Sequence, residues 1–138
     1  MKKKRVLFVC VENSCRSQMA EGFARALGQN VMEAYSAGSR PSGIVSPDAI
    51  TVMREMEIDI SQQKSKGFSV LPFKKFDYVV TLGCGDQCPF VPADKQIDWN
   101  IEDPQGTGIE SFRKTRNQIC EEVILFIRAL NGEIFGRG

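Results

Sequence analysis

The stretch Val6-Leu-Phe-Val-Cys-Val-Glu-Asn-Ser-Cys-Arg-Ser-Gln-Met-Ala-Glu-Gly22 decides the fold. Arg5 to Cys10 closes a continuous apolar run, the pattern of a strand buried on both faces. From Arg16 the period changes. Met19, Phe23 and Leu27, with Ala20 and Ala24, fall on one face of a helix running to Leu27, and Gly28 suits its stop. Between strand and helix lies a tight loop, Cys10 to Arg16. Backbone N–H groups in such a loop can point inward, and the helix dipole adds positive field. The spacing reads as a cradle for a tetrahedral oxyanion with a thiol at its floor. These surroundings stabilise a thiolate. Arg16 offers a planar fork for two oxygens, Asn13 tolerates the left-handed backbone of a tight loop, and Ser17 can donate to the Cys10 sulfur. Taken alone, the same residues also fit a buried cysteine ending a strand with an arginine on the next helix.

Working outward, Val31 to Ala37 reads as a second strand ending at Gly38, and Ser39 to Val45 as a loop. Ser46-Pro47-Asp48 is a helix start, with an N-cap, a first-turn proline and an acid at the positive end of the dipole. Ala49, Val52, Met53 and Met56 form its expected apolar face. Asp59 to Phe76 reads as a loop with one short helix. Asp77 to Leu82 is a clear strand, Gly83 to Ala93 a mobile loop carrying Cys84 and Cys88, and Gln96 to Trp99 a short fourth strand. Asn100 to Gly108 is a loop holding Asp103-Pro104. Ile109 to Leu130 is the longest helix, with Ile109, Phe112, Ile119, Cys120, Val123, Ile127 and Leu130 on its apolar stripe. Alternating strands and helices predict an α/β fold, a four-stranded parallel sheet with helices on both faces. Sites in such folds lie at the carboxyl ends of strands, which places the Cys10, Gly83–Ala93 and Asn100–Gly108 loops on one edge.

Composition narrows the chemistry. The 138 residues are 42% apolar and 25% charged, with net charge +1, so one soluble domain over 1–138 is expected. The balance gives no reason to expect nucleic acid or an anionic membrane as partner. The apolar run after Met1-Lys-Lys-Lys-Arg5 is too short for a signal peptide or a membrane span, so a cytoplasmic protein is expected. Five cysteines without an export signal argue against a disulfide scaffold. There is no histidine, which removes Ser-His-Asp and Cys-His pairs and leaves acid–base work to carboxylates or thiols. Cys84 and Cys88 could form half of a zinc site, but only by recruiting Cys10 and Cys15. Cys120 is most simply core.

Cys10-Val-Glu-Asn-Ser-Cys-Arg-Ser17-Gln-Met-Ala-Glu-Gly22 resembles the loop and first helix of arsenate reductases built on the low-molecular-weight tyrosine phosphatase fold. Tyr35-Ser-Ala-Gly38, Ser46-Pro-Asp-Ala49, Ile58-Asp-Ile-Ser61, Val79-Val-Thr-Leu82, the cysteine pair, Trp99, Asp103-Pro104 and Phe112-Arg113 extend the resemblance over nearly the whole chain. It implies flavodoxin-like strand order 2-1-3-4. It also implies a substrate loop of Val11, Glu12, Asn13, Ser14, Cys15, Arg16 and Ser17, with Cys10 as nucleophile and Asp103 as general acid. Cys84 would then attack Cys10, Cys88 would attack Cys84, and thioredoxin or a glutaredoxin-type dithiol would reduce the final bridge. No cofactor or resident metal is implied, and a monomer is expected. Two departures stand out. The phosphatase loop usually has glycine at Glu12, whose carboxylate must turn from the anion, and the Cys84–Cys88 spacing is short. Some relatives hold potassium with residues matching Asn13, Glu21 and Ser36 plus a carboxylate. Lys66 stands at that last position, so its ammonium is expected to replace the ion. A phosphatase would share Cys10, Arg16 and Asp103 but would not need Cys84 and Cys88.

Overall fold

In a computed structural model, which describes residues 2–83 and 90–132, the elements follow one another as β1 (Lys4–Cys10), α1 (Arg16–Leu27), β2 (Met32–Gly38), α2 (Pro47–Arg54), a 3-10 turn (Phe68–Val70), β3 (Phe76–Thr81), β4 (Ala93–Asp98) and α3 (Ile109–Leu130). The strands form one sheet in the order β2-β1-β3-β4, and every neighbouring pair is parallel. This is the expected topology. β1 is an inner strand, and Val6 to Cys10 are all buried, which is why its sequence is apolar without alternation.

The two faces of the sheet are covered unequally. Val6 and Phe8 of β1 meet α1, α2 and α3 through Met19, Phe23, Val52, Met53, Ile119 and Val123. Leu7 and Val9 face the other way and pack with Val79, Val91 and Phe76, under Phe68, Leu71 and Phe73. Three α-helices thus cover one face; on the other, where the sequence reading also expects helices, the cover is only the 3-10 turn with its flanking chain, because the stretch between α2 and β3 is too short of helical periodicity to form a longer one. Gly22 lets α1 approach the segment after α2: a Cβ there would lie 2.6 Å from Ile60 Cγ2 and 3.1 Å from Met53 Cε.

Several boundaries differ from the sequence reading. β4 begins at Ala93 and ends at Asp98, before Trp99. Its first half carries exposed Asp94, Lys95 and Gln96, and pairing with β3 places it where no apolar pattern could. Met56 is not on the α2 face. The helix ends at Arg54, the left-handed Glu57 (φ 62°) turns the chain away, and Met56 is 40% exposed. On α3, Phe126 and Thr115 are buried beside Phe112, Ile119 and Val123, and Cys120 packs against the core from a half-buried position. No helix among the described residues is long and apolar enough to cross a membrane. Cys84 and Cys88 lie outside the described residues.

Candidate active site

The loop after β1 is shaped by where its carbonyls go. Val11 O accepts from Arg40 N (2.8 Å), Glu12 O from Ser42 N (3.1 Å) and Ser14 O from Ser46 N (2.9 Å). Ser65 Oγ also donates to Glu12 O (2.9 Å), and Gln18 Nε2 to Asn13 O (3.0 Å). Every one of these carbonyls is therefore held on the outside of the loop. In a trans peptide the following N–H points the opposite way, so the N–H groups of Glu12, Asn13, Ser14 and Cys15 turn inward. Asn13 makes the bend with φ 50°. Gly38 backs it closely: a Cβ there would lie 2.5 Å from Val11 O and 2.8 Å from Asn13 N.

At the floor is Cys10, 2% exposed, with its Sγ 2.9 Å from Ser17 Oγ. Asn13 Nδ2 donates to the same Ser17 oxygen at 2.7 Å. Asn13 Oδ1 accepts from the Lys66 backbone N–H at 2.9 Å, which fixes the amide's orientation. Ser17 Oγ, accepting from Asn13, keeps its own proton available for the Cys10 sulfur. Behind this relay Gln18 Nε2 also donates to Asn13 Oδ1 and to Lys64 O, both at 2.9 Å. Gln63 Nε2 donates to Gln18 Oε1 at 2.7 Å.

Arg16 is 6% exposed and is seated by backbone rather than by an acid. Its Nη1 donates to Leu82 O (2.6 Å) and Ile101 O (2.9 Å). Its Nη2 lies 3.8 Å from Asp103 Oδ2. Its Nε is buried with no hydrogen-bond partner among the described residues. A buried guanidinium N–H without an acceptor is costly, so the Nε and Nη2 edge is poised to receive an anion's oxygens.

The cavity in front of Cys10 measures about 400 Å³ and is walled by Cys10, Val11, Glu12, Ser14, Cys15 and Arg16 from the loop, Gly83 after β3, and Asn100 to Asp103 with Gln105 after β4. Described residues just past the carboxyl ends of β1, β3 and β4 meet here, as the parallel-sheet rule requires. Asn13 and Ser17 are fully buried behind the wall rather than in it. Glu12 is exposed on the wall, so its carboxylate has open solvent to turn into.

Cys15 joins the loop to the segment after β4. Its Sγ lies 3.5 Å from both Asp103 Oδ1 and Gln105 Oε1, while Gln105 N donates to Asp103 Oδ1 at 3.0 Å. Burial first, then the charges of Asp103 and Cys10, push the Cys15 thiol well up, so it stays a neutral donor. Sequence reading missed Asn100, Ile101, Glu102 and Gln105 as wall residues, because loop residues carry no periodic signal. Only their sequence proximity to Asp103 hinted at them.

Lys66 Nζ donates to Ser36 Oγ (3.3 Å) and Lys64 O (3.0 Å) and lies 3.7 Å from Glu21 Oε1. Ser36 Oγ donates to Glu21 Oε1. The ammonium therefore occupies the pocket between Glu21 and Ser36. No group of acidic or cysteine residues suited to a metal occurs among the described residues.

Residues 5–134 match the family model described as low molecular weight phosphotyrosine protein phosphatase. A glutaredoxin arsenate reductase of Synechocystis sp. is 45% identical over 123 residues, covering 87% of this chain and 93% of that protein. An arsenate reductase of Oceanobacillus iheyensis is 41% identical over 138 aligned residues, covering 93% and 98%. Among solved structures, an arsenate reductase in the phosphate-binding state superposes with TM-score 0.83 at 43% identity, covering 92% of this chain and 98% of that one. A low molecular weight protein tyrosine phosphatase of T. tengcongensis superposes with TM-score 0.78 at 32% identity, covering 92% and 99%.

Proposed function

The chain belongs to the low molecular weight phosphotyrosine protein phosphatase family, and from that premise we propose that it is an arsenate reductase using a cysteine relay. The observation that carries the reading is the Nε of Arg16, buried and without a hydrogen-bond partner among the described residues, in the wall of the cavity floored by Cys10. That arrangement calls for a small oxyanion. The wall contains no aromatic residue among the described ones and includes the carboxylates Glu12 and Glu102, which favours a bare oxyanion over an anionic phosphotyrosine segment. The relatives named arsenate reductase support the same choice.

In this reading the Cys10 thiolate, stabilised by the Ser17 hydroxyl, attacks arsenic and displaces one oxygen, which leaves as water with a proton from Asp103. Inward N–H groups and the Arg16 edge hold the remaining oxygens as charge redistributes. Cys84 then attacks the Cys10 sulfur. A Cys10–Cys84 bond forms, the S–As electron pair passes to arsenic, and As(V) leaves as arsenite. Cys88 attacks Cys84 and frees Cys10 as thiolate, and a thioredoxin or glutaredoxin-type dithiol reduces the Cys84–Cys88 bridge. Gly83, the residue before Cys84 in the sequence, lines the cavity. Arsenic detoxification is the role this chemistry would serve.

The family's phosphatase members favour a second reading, hydrolysis of phosphate monoesters by the same Cys10, Arg16 and Asp103. The two are separated by following arsenate-dependent NADPH oxidation with thioredoxin and its reductase beside aryl-phosphate hydrolysis. Reduction abolished by Cys84→Ser, with weak hydrolysis retained, supports the reductase. Vigorous hydrolysis indifferent to Cys84, without arsenate reduction, establishes the phosphatase.

A further inference from the structure

Arg16 can face an oxyanion with its Nε and Nη2 only because its third nitrogen is held elsewhere. Nη1 bridges Leu82 O and Ile101 O, one carbonyl at the stem of each neighbouring loop. The space for that bridge is the missing side chain of Gly83. A Cβ on Gly83 would lie 2.3 Å from Ile101 O and 2.8 Å from Arg16 Nη1, and the residue has φ +82°. Both approaches are closer than real Cβ contacts, and the first is to backbone. A side chain there must push the Ile101 carbonyl or the guanidinium out of place.

We propose that Gly83 is a positioning residue for oxyanion binding, the seat on which the Arg16 guanidinium rests between the stems of the Asp103 loop and the relay loop. It acts through Arg16 rather than by touching the anion. The inference rests on the cradle being an oxyanion site, which the reductase and phosphatase readings share.

The test uses the full chain and inorganic phosphate, which binds without turnover, followed by calorimetry, with arsenate kinetics alongside. Gly83→Ala is expected to weaken phosphate binding by roughly tenfold or more, the worth of one charge-assisted hydrogen bond, and to raise the KM for arsenate. Gly83→Asn separates the seat from backbone strain, because asparagine accepts the left-handed conformation yet still places a Cβ against Arg16. It also keeps the test open should the alanine variant fail to fold. The loss is expected in both variants. On an Arg16→Lys background, which has no Nη1 to displace, Gly83→Asn is expected to change phosphate affinity less than twofold. Wild-type affinity in folded Gly83→Asn, or losses that simply add on the Arg16→Lys background, would overturn the proposal. A wild type that binds phosphate but reduces no arsenate would sink the reductase reading while leaving this inference standing.

Discussion

Lys66 Nζ lies 3.7 Å from Glu21 Oε1 in a pocket lined by Ser36. Glu21 is 2% exposed, and its other oxygen accepts from Arg25 at 2.6 Å. Burial lowers the Lys66 ammonium's affinity for its proton, and Glu21 works against that. Lys66 thus brings a covalently attached cation between Glu21 and Ser36. Exchanging sodium for potassium is therefore expected to leave melting temperature and kcat unchanged. Lys66→Ala should cost about 1 kcal/mol, because Arg25 still serves Glu21. A rise specific to potassium in the wild type contradicts this account.

Ser17→Ala removes the donor at 2.9 Å from Cys10 Sγ and strands Asn13 Nδ2. Alkylation of Cys10 by iodoacetamide at neutral pH should slow by about tenfold, roughly 1.4 kcal/mol in barrier. Ser17→Thr, which keeps the hydroxyl, should recover most of that rate. An unchanged alkylation rate in the alanine variant would show that the hydroxyl does not support the thiolate.

Asp103 sits 51% exposed at the cavity, held by the Gln105 N–H and facing Arg16. Asp103→Asn should lower kcat by roughly a hundredfold or more, the usual worth of a general acid. It should leave Cys10 alkylation near the wild-type rate, because the Ser17 relay is untouched. A kcat within a fewfold of wild type would remove Asp103 from the mechanism.

Much of this was legible in the sequence. The limits of α1 and α3 follow from apolar periodicity with clean stops at Gly28 and Asn131. The loop from Cys10 to Arg16 announced itself by residue type. What was hidden had other causes. β4 is an edge strand whose exposed Asp94, Lys95 and Gln96 have no inward pattern, so only pairing with β3 defines it. Met56 follows the helical period but lies past the end of α2 at Arg54, where the chain turns away through an ordinary glutamate, the left-handed Glu57. The contact of Cys15 with Asp103 and Gln105 joins two loops far apart in sequence, and no local pattern records it.

Glu55 ties the end of α2 to α3 through Arg113 Nη2 (2.8 Å) and Arg116 Nη1 (2.7 Å). Hydrogen bonding from Arg113 first, then Arg116, holds its carboxyl below the ordinary 4.5. A group depressed in the folded state stabilises above its unfolded value and loses that contribution as pH falls. The melting temperature of Glu55→Gln should therefore lie below wild type at neutral pH, and the gap should close as pH drops below 4.5. A gap that stays constant from neutral to acid pH would show that the ion pairs carry no stability.

In the proposed reaction the two electrons come from this chain's own thiols. The direct measurement is a single turnover. Fully reduced protein, stripped of external thiol, is mixed with excess arsenate, and arsenite and free thiols are counted. The expected result is one arsenite per chain, two thiols lost, a Cys84–Cys88 disulfide in the peptide map, and no arsenite from Cys84→Ser. An unchanged thiol count with no arsenite formed, while aryl phosphate is hydrolysed, would contradict it.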